Sequence, residues 1–233
     1  MKETTIGILG GMGPRATVIF EQRLLDRLSG NDQQLPRIVS VNDGLTPDRT
    51  AFLSGKGSDP LPRLLQNAQM LVKAQATIIC MPCNTAHASR ILDRLQASIM
   101  IPIVDMPAGA VQAAENQGYR RLLILGTVGT RDNGVYDART TYSKCIYPSR
   151  RDQLTVNSLI AKVKTGVNLE LLRPVFLKVL ESTDCDSAIL ACTELSMLAP
   201  DQPTNVPVID AMEALIEQCV LQIDGYNKRE ETL

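Results

Sequence analysis

The feature that most constrains this chain is an internal repeat. The stretch IGILGGMG at 6–13 has a counterpart in LLILGTVGT at 122–130. ATIICMPCNT at 76–85 matches SAILACTE at 187–194, and IPIVDM at 101–106 matches VPVIDA at 206–211. The three elements keep their order, about 105–116 residues apart. A Gly-rich strand end, a cysteine followed by polar residues, and a Pro-x-x-Asp step thus occur once in each half. Duplication of this kind predicts two related halves facing one another across a central cleft.

The local pattern says what each half is made of. Seven short aliphatic runs, at 4–11, 37–43, 76–84, 100–106, 121–127, 187–193 and 206–211, read as strands. Amphipathic stretches at 15–28, 60–75, 85–98, 107–118, 156–166, 169–182 and 211–224 read as helices. Strand–helix alternation indicates an α/β protein with a parallel sheet. The strand runs are continuously apolar, as expected where both faces are covered. The expected architecture is therefore two pseudo-symmetric parallel-sheet α/β domains. The first comprises residues 1–101 plus 207–233 and carries Cys83; the second comprises 102–206 and carries Cys192.

Composition removes several function classes. With a net charge of -1 there is no basic excess of the kind nucleic acid requires. Aromatic residues make up 3% of the chain and Trp is absent, which argues against base-stacking platforms. No apolar run approaches a membrane span, and the N-terminus lacks the pattern of a signal peptide. Six cysteines spread through 233 residues do not form the dense set of a small secreted scaffold. The expectation is a cytoplasmic protein with reduced thiols.

Cys83 and Cys192 occupy equivalent points, each where an apolar strand gives way to a polar segment. Ligands of parallel sheets bind at that carboxyl end. A thiol acts as nucleophile or base only as thiolate, and a following helix N-terminus would favour that form. Asn84 and Thr85 are suited to open such a helix after Cys83, and Thr193 and Glu194 hold the matching places after Cys192. Glu194 would either raise the neighbouring thiol or orient a substrate ammonium. Two opposed thiols suit inversion of a carbon centre: one removes a proton and the other delivers one to the opposite face, sharing one proton between them.

The motifs GILGGMGPRAT, PDRT, MPCNTAH, LGTVGT, VKTG and LACTELSML, in that order, resemble those of the aspartate/glutamate racemase superfamily. The aspartate racemases and related amino-acid racemases are the nearest members. The resemblance runs through nearly the whole chain and implies cofactor-independent, two-base racemization of aspartate or glutamate by a homodimer. It implies no metal, nucleic-acid or membrane partner, and a small acidic amino acid as ligand. By the same resemblance Cys83 and Cys192 are the catalytic pair, and Asn84, Thr85, Thr193 and Glu194 hold the substrate. Met12 lies in the loop lining the pocket near the first cysteine. Thr127, with Thr130 beside it, is its second-half equivalent, and Arg49 and Lys164 match positions linked to carboxylate binding. Such cations make physical sense for a dicarboxylate.

Each assignment has a plainer competitor. Cys83 and Cys192 compete with ordinary buried strand cysteines, a reading the duplicated context disfavours. For Cys80 the buried strand thiol is the better reading, and a Cys80–Cys83 redox pair is the alternative. Zinc is disfavoured because the chain has one histidine and no second Cys-x-x-Cys. Cys145, Cys185 and Cys219 read as structural or surface thiols. His87 either tunes Cys83 or packs as a core histidine, with packing preferred. Asp105 and Asp210 read as helix caps. Arg49 and Lys164 compete with solvated surface cations. The alternative functions are a related isomerase acting on maleate, and a non-catalytic dicarboxylate-binding or redox-responsive protein.

Overall fold

Each half begins with an aliphatic strand that enters the core and ends at glycine. In the computed structural model, which describes residues 4–199 and 203–230, these are β1 (Thr5–Gly10) and β5 (Arg121–Gly126). The first half continues through α1 (Pro14–Arg27), β2 (Arg37–Asn42), α2 (Arg49–Leu53), α3 (Leu61–Lys73) and β3 (Ile78–Cys80). It closes with α4 (Ser89–Gln96), β4 (Ile103–Val104) and α5 (Met106–Asn116). After β5 come α6 (Val128–Asp132), β6 (Lys144–Ile146), α7 (Arg150–Lys164), α8 (Leu169–Leu180) and β7 (Ser187–Ala191). The last elements are α9 (Thr193–Ser196), β8 (Val208–Asp210) and α10 (Ala211–Glu230). Short 3-10 turns cover Asn84–His87 and Asp137–Arg139.

The two sheets share one topology. Strand order is β2-β1-β3-β4 in one and β6-β5-β7-β8 in the other, and every pairing is parallel. The repeat in the sequence is thus a repeat of the sheet. The inner strands β1, β3 and β7 are buried along their whole length, as their continuous apolar runs predict. The edge strand β2 is partly exposed along its length, as the unpaired side of a sheet allows.

The larger buried cluster does not stop at the sheet boundary. It runs from Ile6, Ile8 and Ile79 through Met106, Ala110, Met212 and Leu215 of α5 and α10 to Leu122, Ile124 and Ile189 of the second sheet. Those two helices pack between the sheets and fix them relative to one another. Arg23 of α1 adds a polar tie, with Nη1 bonded to Asp210 at 3.1 Å and Glu213 at 3.0 Å.

Four features differ from the sequence expectation. β6, α2 and α6 were not expected; each is three to five residues long, too short to show a period. α7 begins at Arg150 rather than near 156, opened by the Ser149 cap on the Asp152 amide. Its first turn is polar and hides from a hydrophobic pattern. β4 pairs with β3 and β8 with β7. The expected boundaries at 101/102 and 206/207 place these two strands with the opposite halves. Finally, Cys80 pairs with Cys219 of α10, while Cys83, Cys145, Cys185 and Cys192 are free. The Cys80–Cys83 pairing is therefore absent, and so is the free strand thiol expected at Cys80, because Cys219 of α10 packs against the end of β3. No described helix is long and apolar enough to cross a membrane.

Candidate active site

Both cysteines leave their strands in extended conformation and cap a short turn. Cys83 (φ -155°) precedes Asn84–His87, and Cys192 (φ -153°) precedes α9. The strand ends aim these matched turns at each other, and both cysteines line one pocket between the halves. With them stand Met12, Asp48, Arg49, Thr50, Asn84, Thr85, Thr127, Lys164, Ala191, Thr193 and Glu194. Every residue assigned to the site from the sequence is in this wall except Thr130, which stands behind it, 3.0 Å from Thr85 Oγ1. Asp48, Thr50 and Ala191 were missed, although Asp48 and Thr50 flank Arg49 in the quoted PDRT stretch.

The Gly-rich loop lets the pocket form. Gly11 sits at φ +94°, where a Cβ would come within 2.3 Å of the Asp43 backbone. At Gly13 a Cβ would lie 2.9 Å from Glu194 Oε1, so glycine there permits the close approach of the halves. Thr17 locks the loop, accepting from the Gly11 amide and donating to the Gly13 carbonyl, both at 3.0 Å.

Charge in the pocket is arranged around Cys192. Its thiol donates to Glu194 Oε2 at 3.0 Å, and the Thr193 hydroxyl reaches the same oxygen at 3.3 Å. Burial, and then the Glu194 carboxylate, push the Cys192 thiol well above its ordinary range, so it rests protonated. The expected lowering by a helix N-terminus does not govern here: α9 has four residues and its first turn carries Glu194. Lys164, the last residue of α7, keeps its charge. Desolvation works against that charge, but Glu194, Cys192 and Cys83 outweigh it and the pKa is raised.

Arg49 is buried and mostly engaged with backbone. Nη1 donates to the carbonyls of Thr46 and Pro47, at 3.2 and 2.9 Å, and Nη2 to that of Met12 at 2.9 Å. The free guanidinium fork expected from the sequence is thus partly spent on holding two loops together. Its Nε–H is buried without a hydrogen-bond partner among the described residues. Asn84 Nδ2 is a second buried donor in the same position. Two unmatched donors in one pocket wall favour an anionic ligand.

Threonine hydroxyls close the seam between the halves. Thr85 Oγ1 lies 3.0 Å from both Thr127 Oγ1 and Thr130 Oγ1, and Thr50 donates to Thr127 at 3.3 Å. His87 is fully buried, and burial holds its pKa down. Nδ1 lies 2.9 Å from the Cys83 carbonyl, and Nε2 takes the Met106 amide at 3.4 Å. A neutral ring protonated on Nδ1 satisfies both; the Val104 carbonyl, 3.2 Å from Nε2, is served only by the other tautomer. His87 is thus a packing residue that bonds the backbone of Cys83 rather than its sulfur. Asp105 and Asp210 cap as expected, on the amides of Ala108 at 3.0 Å and Met212 at 2.9 Å.

Known proteins resemble this chain in sequence and fold. The Bacillus subtilis (strain 168) protein described as a broad specificity amino-acid racemase, RacX, is 25% identical over 233 residues, covering 95% of this chain and 99% of its own. The Picrophilus torridus aspartate racemase structure superposes with a TM-score of 0.82 at 27% identity, covering 95% of this chain and 94% of that one. The Francisella tularensis glutamate racemase in complex with D-glutamate shares the fold, with a TM-score of 0.64 at 16% identity, covering 97% and 83%. Residues 9–219 match the family described as Asp/Glu/hydantoin racemase. With that match over most of its length, on two like sheets that bring a cysteine each to one pocket, the chain belongs to the Asp/Glu/hydantoin racemase family.

Proposed function

We propose that this protein is a cofactor-independent racemase that inverts Cα of an acidic amino acid, aspartate or glutamate, by proton transfer between two thiols. The observation that carries the reading is the placement of Cys83 and Cys192, from equivalent strand ends of two halves, in one pocket. The substrate's Cα lies between the two sulfurs. In one direction the Cys83 thiolate takes the α-proton while the Cys192 thiol gives its own proton to the opposite face. Cys83 ends as thiol and Cys192 as thiolate, so the pair holds one proton before and after. The reverse direction exchanges the roles.

The remaining residues suit an acidic substrate. Lys164 supplies a positive charge, and Arg49 Nε and Asn84 Nδ2 supply buried donors that a carboxylate would satisfy. Glu194 and Asp48 supply negative charge for an ammonium group. Met12, Thr85, Thr127 and Thr193 complete the wall. Action in the cytoplasm as a homodimer is part of the same proposal.

The test is α-deuterium exchange and loss of circular dichroism with both enantiomers of aspartate and glutamate. Cys83→Ala and Cys192→Ala should each lower racemization by about 10²–10⁴-fold, the contribution of one positioned acid or base. Either variant racemizing at the unaltered rate would end the two-thiol reading. Turnover of maleate with no turnover of amino acids would replace it by an isomerase of a different substrate.

A further inference from the structure

Tyr136 lies outside every motif that pointed to the site. It belongs to the second half, is fully buried, and bonds a residue of the first half: its hydroxyl donates to Asn84 Oδ1. Asn84 lines the pocket, and its Nδ2 is buried without a partner among the described residues. We propose that Tyr136 is a positioning residue that fixes the Asn84 amide with Oδ1 turned away from the pocket and both Nδ2 hydrogens presented to a substrate carboxylate.

An asparagine amide has two orientations of nearly equal shape and opposite chemistry. With Nδ2 inward, the pocket offers two donors to an anion. With Oδ1 inward, it offers a carbonyl dipole that repels one. The hydroxyl of Tyr136 decides between them. Burial raises the phenol well above its ordinary range, so it keeps its proton and must donate it. Asn84 Oδ1 is the acceptor within reach. Turning the amide over would let Nδ2 donate to the phenol oxygen but leave the buried hydroxyl proton without its acceptor.

The phenol is itself held in place. Arg139, three residues on, bonds Asp105 through Nε at 2.7 and 2.9 Å, and the Val135 carbonyl through Nη1. Its Nη2 bonds the His87 carbonyl at 3.1 Å. His87 closes the circuit on the Cys83 carbonyl. Segment 135–139 therefore clamps the turn that carries Cys83 and Asn84, and Tyr136 is the member of the clamp that touches a pocket side chain. It acts through Asn84 and touches no reacting atom.

The inference rests on the acidic-substrate racemase reading for its kinetic assay, and the two fail differently. Failure of that reading appears in the cysteine variants and in the turnover of the unaltered enzyme; failure of this one appears in the Tyr136 and Asn84 variants and in the Asn84 side-chain resonances. The experiment compares the full chain with Tyr136→Phe, Asn84→Ala and the double variant. It measures KM and kcat for aspartate and glutamate racemization, and the Kd of succinate, a dicarboxylate that cannot react. Tyr136→Phe should raise KM and the succinate Kd about tenfold or more, the scale of a hydrogen bond to a charged group, with kcat nearly unchanged. In the Asn84→Ala background, Tyr136→Phe should change neither constant further. An equal effect of Tyr136→Phe in both backgrounds, or a loss confined to kcat, overturns the inference. Should Tyr136→Phe fail to fold, amide-labelled wild-type protein answers the same question by NMR. The two Asn84 side-chain hydrogens should shift on succinate titration; resonances that stay fixed while succinate binds overturn it.

Discussion

Replacing Glu194 by glutamine removes one charge from the densest part of the pocket and leaves the shape intact. The carboxylate accepts from the Cys192 thiol at 3.0 Å. Two unit charges about 3 Å apart in an effective dielectric of about 20 repel by roughly 5 kcal/mol. Lys164 sits close enough to both groups to cancel part of it. The remaining repulsion opposes the thiolate that must form beside Glu194. Glu194→Gln should therefore lower the Cys192 thiol pKa. The assay is the pH dependence of iodoacetamide labelling at Cys192, read by peptide mass spectrometry in a Cys83→Ala background so that one thiol titrates alone. In the enzyme with both cysteines, the racemization optimum should move to lower pH. A labelling midpoint that stays put or rises would refute the reasoning and leave burial alone in control of Cys192.

Other predictions concern the frame around the pocket. Gly11→Ala forces a Cβ into the Asp43 backbone at a positive φ, and should cost about 1–3 kcal/mol or more in urea unfolding, with activity falling in parallel. Arg49→Lys cannot bridge the Met12, Thr46 and Pro47 carbonyls, so KM should rise as both loops loosen. Burial disfavours the Glu115 charge, but the Ser143 hydroxyl and the amides of Thr141, Ser143 and Tyr142 hold its pKa down from 4.5 to about 2. The stability it adds is present above pH 4.5 and lost as pH falls toward 2, so Glu115→Gln should flatten the acid limb of a Tm–pH curve. At the other extreme, burial lifts Cys145 from 9.0 to about 12 and the folded state holds that proton more tightly. Stability should then decline as pH climbs above 9, and Cys145→Ala should reduce the decline, checked by urea midpoints at neutral and alkaline pH.

The repeat, the strand–helix alternation and the two cysteine motifs are local patterns, and they were legible because a buried parallel strand needs a continuous apolar run and a defined stop. Cys83 and Cys192 could be matched to one another from equivalent contexts alone. Asp105 and Asp210 could be read as caps because a cap is a contact between near neighbours. Sequence by itself therefore determined the fold class, the duplicated architecture and most of the pocket wall, though not Asp48, Thr50 and Ala191. It did not determine what each wall residue does there. That Arg49 spends most of its guanidinium on carbonyls and that Cys80 meets Cys219 are relations across 37 and 139 residues, and that burial, ahead of the neighbouring Glu194, holds the Cys192 thiol up is a property of the folded pocket. Tyr136, 52 residues from Asn84, carries no local signal of any kind. Those choices belong to the tertiary structure, because hydrogen bonds and charges act over a few ångströms of space and are indifferent to distance along the chain.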